Sequence, residues 1–239
     1  MKLHKKIAMI TVATLNLSAN AAEEVAPKGI TGSAEFGMVI TSGNTDNSTT
    51  NGKFEISNDT EQWLHFGSLN VIAAETDNTS TAERYLLNLK SDYKLDETQF
   101  LFASLSYDVD KFSGFDSQTT FAVGYGRNFY NTETFKLSAE VGPGYRVNEL
   151  ETGEDESETV LHLGAKSKYV LNENSHFVGD LSLDSGSDQT ITIIDLGYVN
   201  KLSNTLALKL GYNYKNSSEV PVGTEKTDTI TSVSLLYSF

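Results

Sequence analysis

The sequence predicts an all-β protein, a twelve-stranded antiparallel up-and-down transmembrane β-barrel. Three observations carry the prediction. Apolar and polar residues alternate with period two through almost every segment, the connections alternate between short and long, and aromatic residues gather at the segment ends. Beyond the N-terminus no stretch approaches the ~18 to 20 apolar residues of a membrane-spanning helix, so any crossing falls to strands.

The elements follow in chain order. Lys2, Lys5 and Lys6, a mainly apolar run from Ile7 to Leu17, and the small residues Ala19-Asn20-Ala21 have the three-part build of a secretory signal peptide cut after Ala21. Residues 1–21 are read as that signal, 22–30 as a short periplasmic segment and 31–239 as the barrel. The first strand presents Ala34, Phe36, Met38 and Ile40 on one face, the second Gly52, Phe54 and Ile56, the third Leu69, Val71 and Ala73. Tyr85, Leu87, Leu89 and Tyr93 mark the fourth; Leu101, Ala103, Leu105, Tyr107 and Val109 the fifth; Phe121, Val123 and Tyr125 the sixth. Leu137, Ala139, Val141 and Tyr145 belong to the seventh, Leu161, Leu163, Ala165 and Tyr169 to the eighth, Phe177, Leu181 and Leu183 to the ninth. The tenth carries Ile194, Leu196 and Tyr198, the eleventh Leu206, Leu208, Leu210, Tyr212 and Tyr214, and the twelfth Val233, Leu235, Tyr237 and Phe239.

Alternation by itself also fits a soluble sandwich, which likewise buries one face. The connections favour the barrel. DETQ, NTET, NEN and LSN are short, whereas DKFSGFDSQ, VNELETGEDESE and KNSSEVPVGTEKTD are long, the asymmetry of tight periplasmic turns and longer external loops. An even strand count puts both termini on the periplasmic side. Tyr93, Tyr169, Tyr198 and Phe239 fall beside the short turns or the C-terminus, and Tyr107, Tyr145 and Tyr214 beside the long loops, as two interfacial girdles would. A closed barrel also gives every backbone N–H and C=O a partner within hydrocarbon and leaves no free edge.

Composition narrows the partners. Removing the signal takes away three of the 18 basic residues and none of the 32 acidic ones, so the formal charge moves from −14 to −17. Such a balance argues against a nucleic-acid partner, whose phosphates need a basic patch. With no cysteine, an exported chain lacks the usual disulfide staples, and closure of the sheet takes their place.

The stretch GSAEFGMVITSGNTDNST at 32–49, with GYGRNFY at 124–130 and EVGPGYR at 140–146, resembles the salt-induced outer-membrane proteins, a domain-of-unknown-function family. The likeness runs over nearly all of the chain after the signal, and the TSGNTD turn from Thr41 to Asp46 is its most specific part. Tyr237-Ser238-Phe239 is similar to the terminal signal that barrel-assembly machinery reads, which makes Tyr237 and Phe239 the candidate insertion signal. The resemblance implies an outer-membrane address in contact with outer-membrane lipid, and a tie to salt or osmotic stress. It brings no catalytic residues and no cofactor.

Strand parity places Lys53, Glu55, Arg84, Lys90, Asp92, Asp108, Glu140, Arg146, Lys166, Lys168, Asp180, Asp195 and Lys209 opposite the apolar skin, as candidate lining of the lumen. A charge facing lipid costs roughly 2 to 4 kcal/mol near the midplane, so their gathering on one parity sets which face is inside. A three-residue NEN turn at 172–174 would set Lys166 across from Asp180, a favourable cross-strand pair. Long side chains of both signs predict a narrow or occluded lumen with little ion selectivity.

Other groups are weighed in turn. A turn near Glu133 would bring Gly124 opposite Gly142, a bare patch that gives curvature or room for a bulky group, while Pro143 predicts a bulge or a break in the ladder. The acidic loop Glu149 to Glu158, with LDSGSDQ on the same side, reads first as a solvated loop; the alternative is a loop that gathers divalent cations and through them lipopolysaccharide, though its spacing is not that of an EF-hand. His65, His162 and His176 show no serine and acid at evident reach, so no hydrolase is expected, and no Cys/His cluster has metal-ligand spacing. The function expected is a narrow solute channel or envelope component linked to salt or osmotic stress. The alternative is a non-conducting surface barrel whose acidic loops bind divalent cations, lipopolysaccharide or a partner.

Overall fold

A computed structural model describes residues 29–41, 47–77, 79–221 and 223–239. The signal-peptide reading of 1–21, nearly all of the 22–30 segment and most of the TSGNTD turn lie outside the described residues. The strands are β1 (Gly29–Thr41), β2 (Asn47–Asp59), β3 (Trp63–Thr76), β4 (Thr79–Lys94), β5 (Gln99–Asp110), β6 (Phe115–Asn131), β7 (Phe135–Leu150), β8 (Asp155–Asn172), β9 (Ser175–Ser185), β10 (Thr190–Lys201), β11 (Leu206–Ser217) and β12 (Thr227–Ser238). Each pairs antiparallel with its neighbours in chain order, and β12 returns to β1 to close the ring. This is the expected twelve-stranded up-and-down barrel, with β1 beginning at Gly29 rather than Thr31.

The burial pattern is that of a soluble protein turned inside out. Every strand exposes an apolar side chain on its outer parity: Phe36, Phe54, Leu69, Leu89, Leu101, Phe121, Val141, Leu161, Leu181, Leu196, Leu210 and Leu235. On the inner parity Glu35, Ser68, Arg84, Asp92, Asp108 and Arg146 are buried, and Arg146 has no exposed surface at all. An apolar skin running round the whole circumference would be an aggregation surface in water. Against lipid tails it is the ordinary exterior of a barrel that spans a membrane.

One end of the barrel, here the turn end, carries the connections 60–62, 95–98, 132–134, 173–174 and 202–205. Aromatic rings touch one another around it: Trp63 with Tyr93 at 5.0 Å, Tyr130 with Phe135 at 5.4 Å, Phe135 with Tyr169 at 6.3 Å, Phe177 with Tyr198 at 5.3 Å and Phe54 with Phe239 at 6.3 Å. Such a belt seats amphipathic and flat side chains at the headgroup level. In the 95–98 turn Asp96 accepts hydrogen bonds from the Thr98 N–H at 2.7 Å and the Gln99 N–H at 2.9 Å. The Thr98 backbone donor, more than any other, holds its carboxyl below the usual carboxylate range. The turn is therefore tightest at neutral pH and loosens only as pH falls through that lowered value.

At the opposite, loop end the long connections expected from the sequence are largely paired strand. β7 runs to Leu150 and β8 resumes at Asp155, so the acidic loop Glu149 to Glu158 is mostly hairpin around residues 151–154. Likewise β5 reaches Asp110 and β6 begins at Phe115. The reason is physical: a strand needs only ~9 to 11 residues to cross the bilayer, and above it both faces are wet. The ladder continues there without the apolar alternation that marks it within lipid.

Closure rests on a short seam. The ladder between β1 and β12 covers Ser33–Gly37 against Ser234–Ser238, and beyond it Gly32 and Phe239 exchange two backbone hydrogen bonds of 2.8 and 2.9 Å. The Phe239 ring occupies the space where a Cβ on Gly32 would stand, and lies 6.0 Å from Tyr237. Phe239→Ala is expected to lower unfolding free energy in lipid vesicles by about 0.5 to 1.5 kcal/mol through lost ring contacts; urea titration followed by heat-modifiable gel mobility measures it.

Candidate functional site

The inner parity brings the charged residues together in three groups. The first lies toward the loop end. Arg84 on β4 donates Nε–H to Asp108 Oδ1 at 2.8 Å and Nη2–H to Oδ2 at 2.7 Å, a diagonal pair across adjacent strands. Lys215 on β11 donates to the same Asp108 at 3.0 Å and lies 3.7 Å from Asp110. β5 and β11 stand on opposite sides of a twelve-membered ring, so this bridge crosses the lumen from wall to wall. Arg84 and Asp108 are 7% exposed and Lys215 is 4% exposed. Lys215 is absent from the lining expected from the sequence because its segment reads as a loop; its odd parity with Lys209 on β11 is the signal that places it inward.

Above this bridge Arg146 binds the Glu158 carboxylate and the Gln189 carbonyl, and reaches the Asp184 carbonyl at 3.4 Å. Glu158 in turn accepts the Asp188 N–H at 2.9 Å and the Gln189 N–H at 3.2 Å, while Gln118 donates to Asn148 at 3.1 Å and to Gln189 at 3.3 Å. The 186–189 connection is thus drawn inward over the mouth. Glu158, expected in an external acidic loop, is committed to this inward contact.

The second group sits along β4, β5, β7 and β8. Lys90 pairs with Asp92 at 3.1 Å and with Glu140, and its ammonium lies 5.0 Å from the Phe100 ring centre and 5.5 Å from that of Phe102. Glu140 lies 3.5 Å from His162 Nε2, and His162 Nδ1 is 2.7 Å from Asp184. The sequence offers no serine and acid together at reach of a histidine; at His162 the structure brings in acids, one facing each ring nitrogen. Neither is left to take a proton from a hydroxyl, as nucleophilic catalysis would require.

The glycines serve the same group. A Cβ on Gly126 would strike the Phe100 ring, and one on Gly124 the Phe102 ring, so the bare patch makes room for two inward aromatics. Gly124 and Gly142 do face each other, each occupying the space of the other's Cβ. The ladder between β6 and β7 lapses there, from Ala122↔Gly144 to Tyr125↔Val141, and resumes in unchanged register. Pro143 thus produces a break, since it has no N–H to give, and not a bulge.

The third group lines the turn-end half. Lys53 pairs with Glu55 at 2.8 Å, Lys209 with Glu35 at 2.8 Å, and Asn213 donates to Asp195 at 2.7 Å. Lys166 and Asp180 are register partners 3.6 Å apart, with side chains 55% and 45% exposed, and Lys166 also lies 4.5 Å from the Phe66 ring centre on the far wall. Lys168 follows on the same face of β8. Two cavities of about 280 and 220 Å³ meet here, sharing Lys53, Glu55, Asn70, Asp180 and Asp195. Among the described residues no group of three or more His, Cys, Asp or Glu is placed to hold a metal ion.

With this geometry in place, likeness to known proteins is informative. Residues 34–239 match the family described as protein of unknown function, DUF481. The uncharacterised protein YdiY of Escherichia coli (strain K12) is 26% identical over 216 residues, covering 89% of this chain and 84% of its own. An outer membrane channel of Pseudomonas putida F1 superposes with a TM-score of 0.56 at 10% identity, covering 93% of this chain and 100% of that one. The translocator domain of the autotransporter NalP from Neisseria meningitidis gives 0.51 at 11% identity over 90% of each chain. At these identities the likeness establishes the fold, that of the outer-membrane barrels.

The glycine contacts yield a prediction with an internal control. A Cβ at position 142 meets the Val123 carbonyl and the Gly124 Cα, both backbone, whereas at Gly52 the nearest atom stands 4.0 Å away. Gly142→Ala is expected to cost about 1 to 3 kcal/mol and Gly52→Ala to be tolerated, as read from urea unfolding in vesicles.

Proposed function

The chain belongs to the family of unknown function DUF481, and from that premise we propose that it is a narrow small-solute channel of the outer membrane that rests shut. The apolar circumference, the aromatic belt and the short turns at one end support the membrane and the orientation. The observation that carries the reading is the Arg84–Asp108–Lys215 bridge, which crosses the water path with almost no exposed surface. Below it the half-exposed pair Lys166–Asp180 and the two joined cavities form a hydrated vestibule that a dead structural plug would not need. Charges of both signs alternate along it, which suits small polar solutes and gives little preference for anions or cations.

The reading of the barrel as a cation-binding surface protein has less support, because Glu158 is committed to Arg146 and Asp184 to His162. A link to salt stress would have to act through the bridge. Pairs so buried are screened far less than exposed ones, so ionic strength alone is expected to open the channel only weakly.

Removing Asp108 leaves two buried cations facing each other, a change that costs about 3 to 5 kcal/mol in other buried pairs. In planar bilayers the refolded wild type is expected to show rare, small steps with a reversal potential near zero in a salt gradient. Asp108→Ala is expected to raise open probability at least tenfold. Silence from both proteins, each with normal gel mobility, would overturn the channel reading.

A further inference from the structure

The seam that closes the barrel is incomplete. β1 extends to Thr41 and β12 begins at Thr227, yet their ladder ends at Gly37↔Ser234. The ladders on either side, β1 with β2 and β11 with β12, run the length of the strands. In an antiparallel ladder the backbone groups face the neighbour at every second residue. Since Gly32 bonds Phe239, those of Met38 and Ile40 face β12, and those of Val233 and Thr231 face β1. The Met38 N–H and the Val233 carbonyl close the last rung, Gly37↔Ser234, and Ile40 and Thr231 lie beyond the β1–β12 register. The side chains of Met38 and Val233 are exposed on the apolar outer parity, so the register ends at the level of an apolar pair.

Directly behind it lies a cavity of about 500 Å³, within the ~300 to 1,000 Å³ range of small-ligand sites. Val39, Ile72, Ala74, Phe115 and Ile230 give it an apolar wall, Arg84 and Lys215 of the bridge line it with Asp110, and Glu225 and Asp228 stand on its polar side. Thr229 and Thr231 of β12, beside the end of the register, also border it.

We propose that this is a lateral portal: a binding site for a small apolar molecule that enters from the membrane between β1 and β12 rather than along the barrel axis. The bridge then has a second consequence, since it bounds the cavity toward the turn end, while the seam and the 112–113 and 220–225 connections border it elsewhere. The site goes beyond the channel reading and does not need conduction.

The test uses the full barrel in lipid vesicles and an uncharged aryl diazirine dissolved in the bilayer, with adducts mapped by mass spectrometry. Adducts are expected on the inward residues Val39, Ile72 and Ala74 as well as on the outer skin, with Leu208 as internal standard. The chain has no cysteine, so a Met38→Cys/Val233→Cys pair can staple the seam. Oxidation should lower inward adducts about tenfold, and reduction should restore them. Ala74→Trp, which fills the cavity and leaves the seam untouched, should remove them without a cross-link. Adducts confined to the outer parity, or inward adducts unchanged by both variants, would overturn the portal. Conductance is read separately, so a silent but labelled barrel sinks the channel and spares this site.

Discussion

Everything in this molecule follows from one requirement: within hydrocarbon, each backbone N–H and C=O needs a partner supplied by the chain itself. A sheet meets it only by closing, and closing forces each strand to show one parity to lipid and the other to the lumen. The outward leucines and phenylalanines and the buried Arg146 are two sides of that single condition. So is the β1–β12 ladder, ending in the bond pair between Gly32 and Phe239, without which two edges would face the tails.

Closure creates a second problem inside. The inner parity of twelve strands surrounds more space than side chains of ordinary size fill, but less than an open pore of the largest barrels. Long charged residues settle it by meeting across the gap, Lys215 with Asp108 and Lys166 with the ring of Phe66. Burying such groups is costly, and their attraction offsets the cost only when further hydrogen bonds satisfy them; here most are satisfied, although Arg146 Nε and Asp92 Oδ1 have no hydrogen-bond partner. That need explains why Asp108 takes both Arg84 and Lys215, and why Glu158 gathers two backbone amides besides Arg146. Glycine at 124 and 126 then lets Phe102 and Phe100 turn inward and seat Lys90.

What the sequence could reveal divides along the same line. Parity within a strand and register between neighbours are local, so the fold, the lipid face and the Lys166–Asp180 pair were all legible. The same register also sets His162 opposite Asp184, a pairing that was available and overlooked. Contacts across the lumen were not legible, because they depend on the stagger and diameter of the closed ring, which no neighbour reports. Lys90 with Glu140 and Asp108 with Lys215 are of this kind. Loop lengths misled for a different reason: above the bilayer, water on both sides removes the alternation while the hairpin persists.

Among the described residues, and apart from the bulges at 74–75, 115–117, 128–130 and 170–172, two interruptions of the ladder differ in kind. At Pro143 the strands come so close that neither Gly124 nor Gly142 has room for a Cβ, and the register is the same on both sides. The wall there is sealed by contact although hydrogen bonds are missing. Above Gly37 the register ends although both strands run on, and a cavity lies behind the seam. A fold governed by backbone pairing in lipid tolerates an unsealed gap only if something else occupies it. The first departure reads as a local consequence of proline, and the second as the point where this barrel exchanges contents with the membrane.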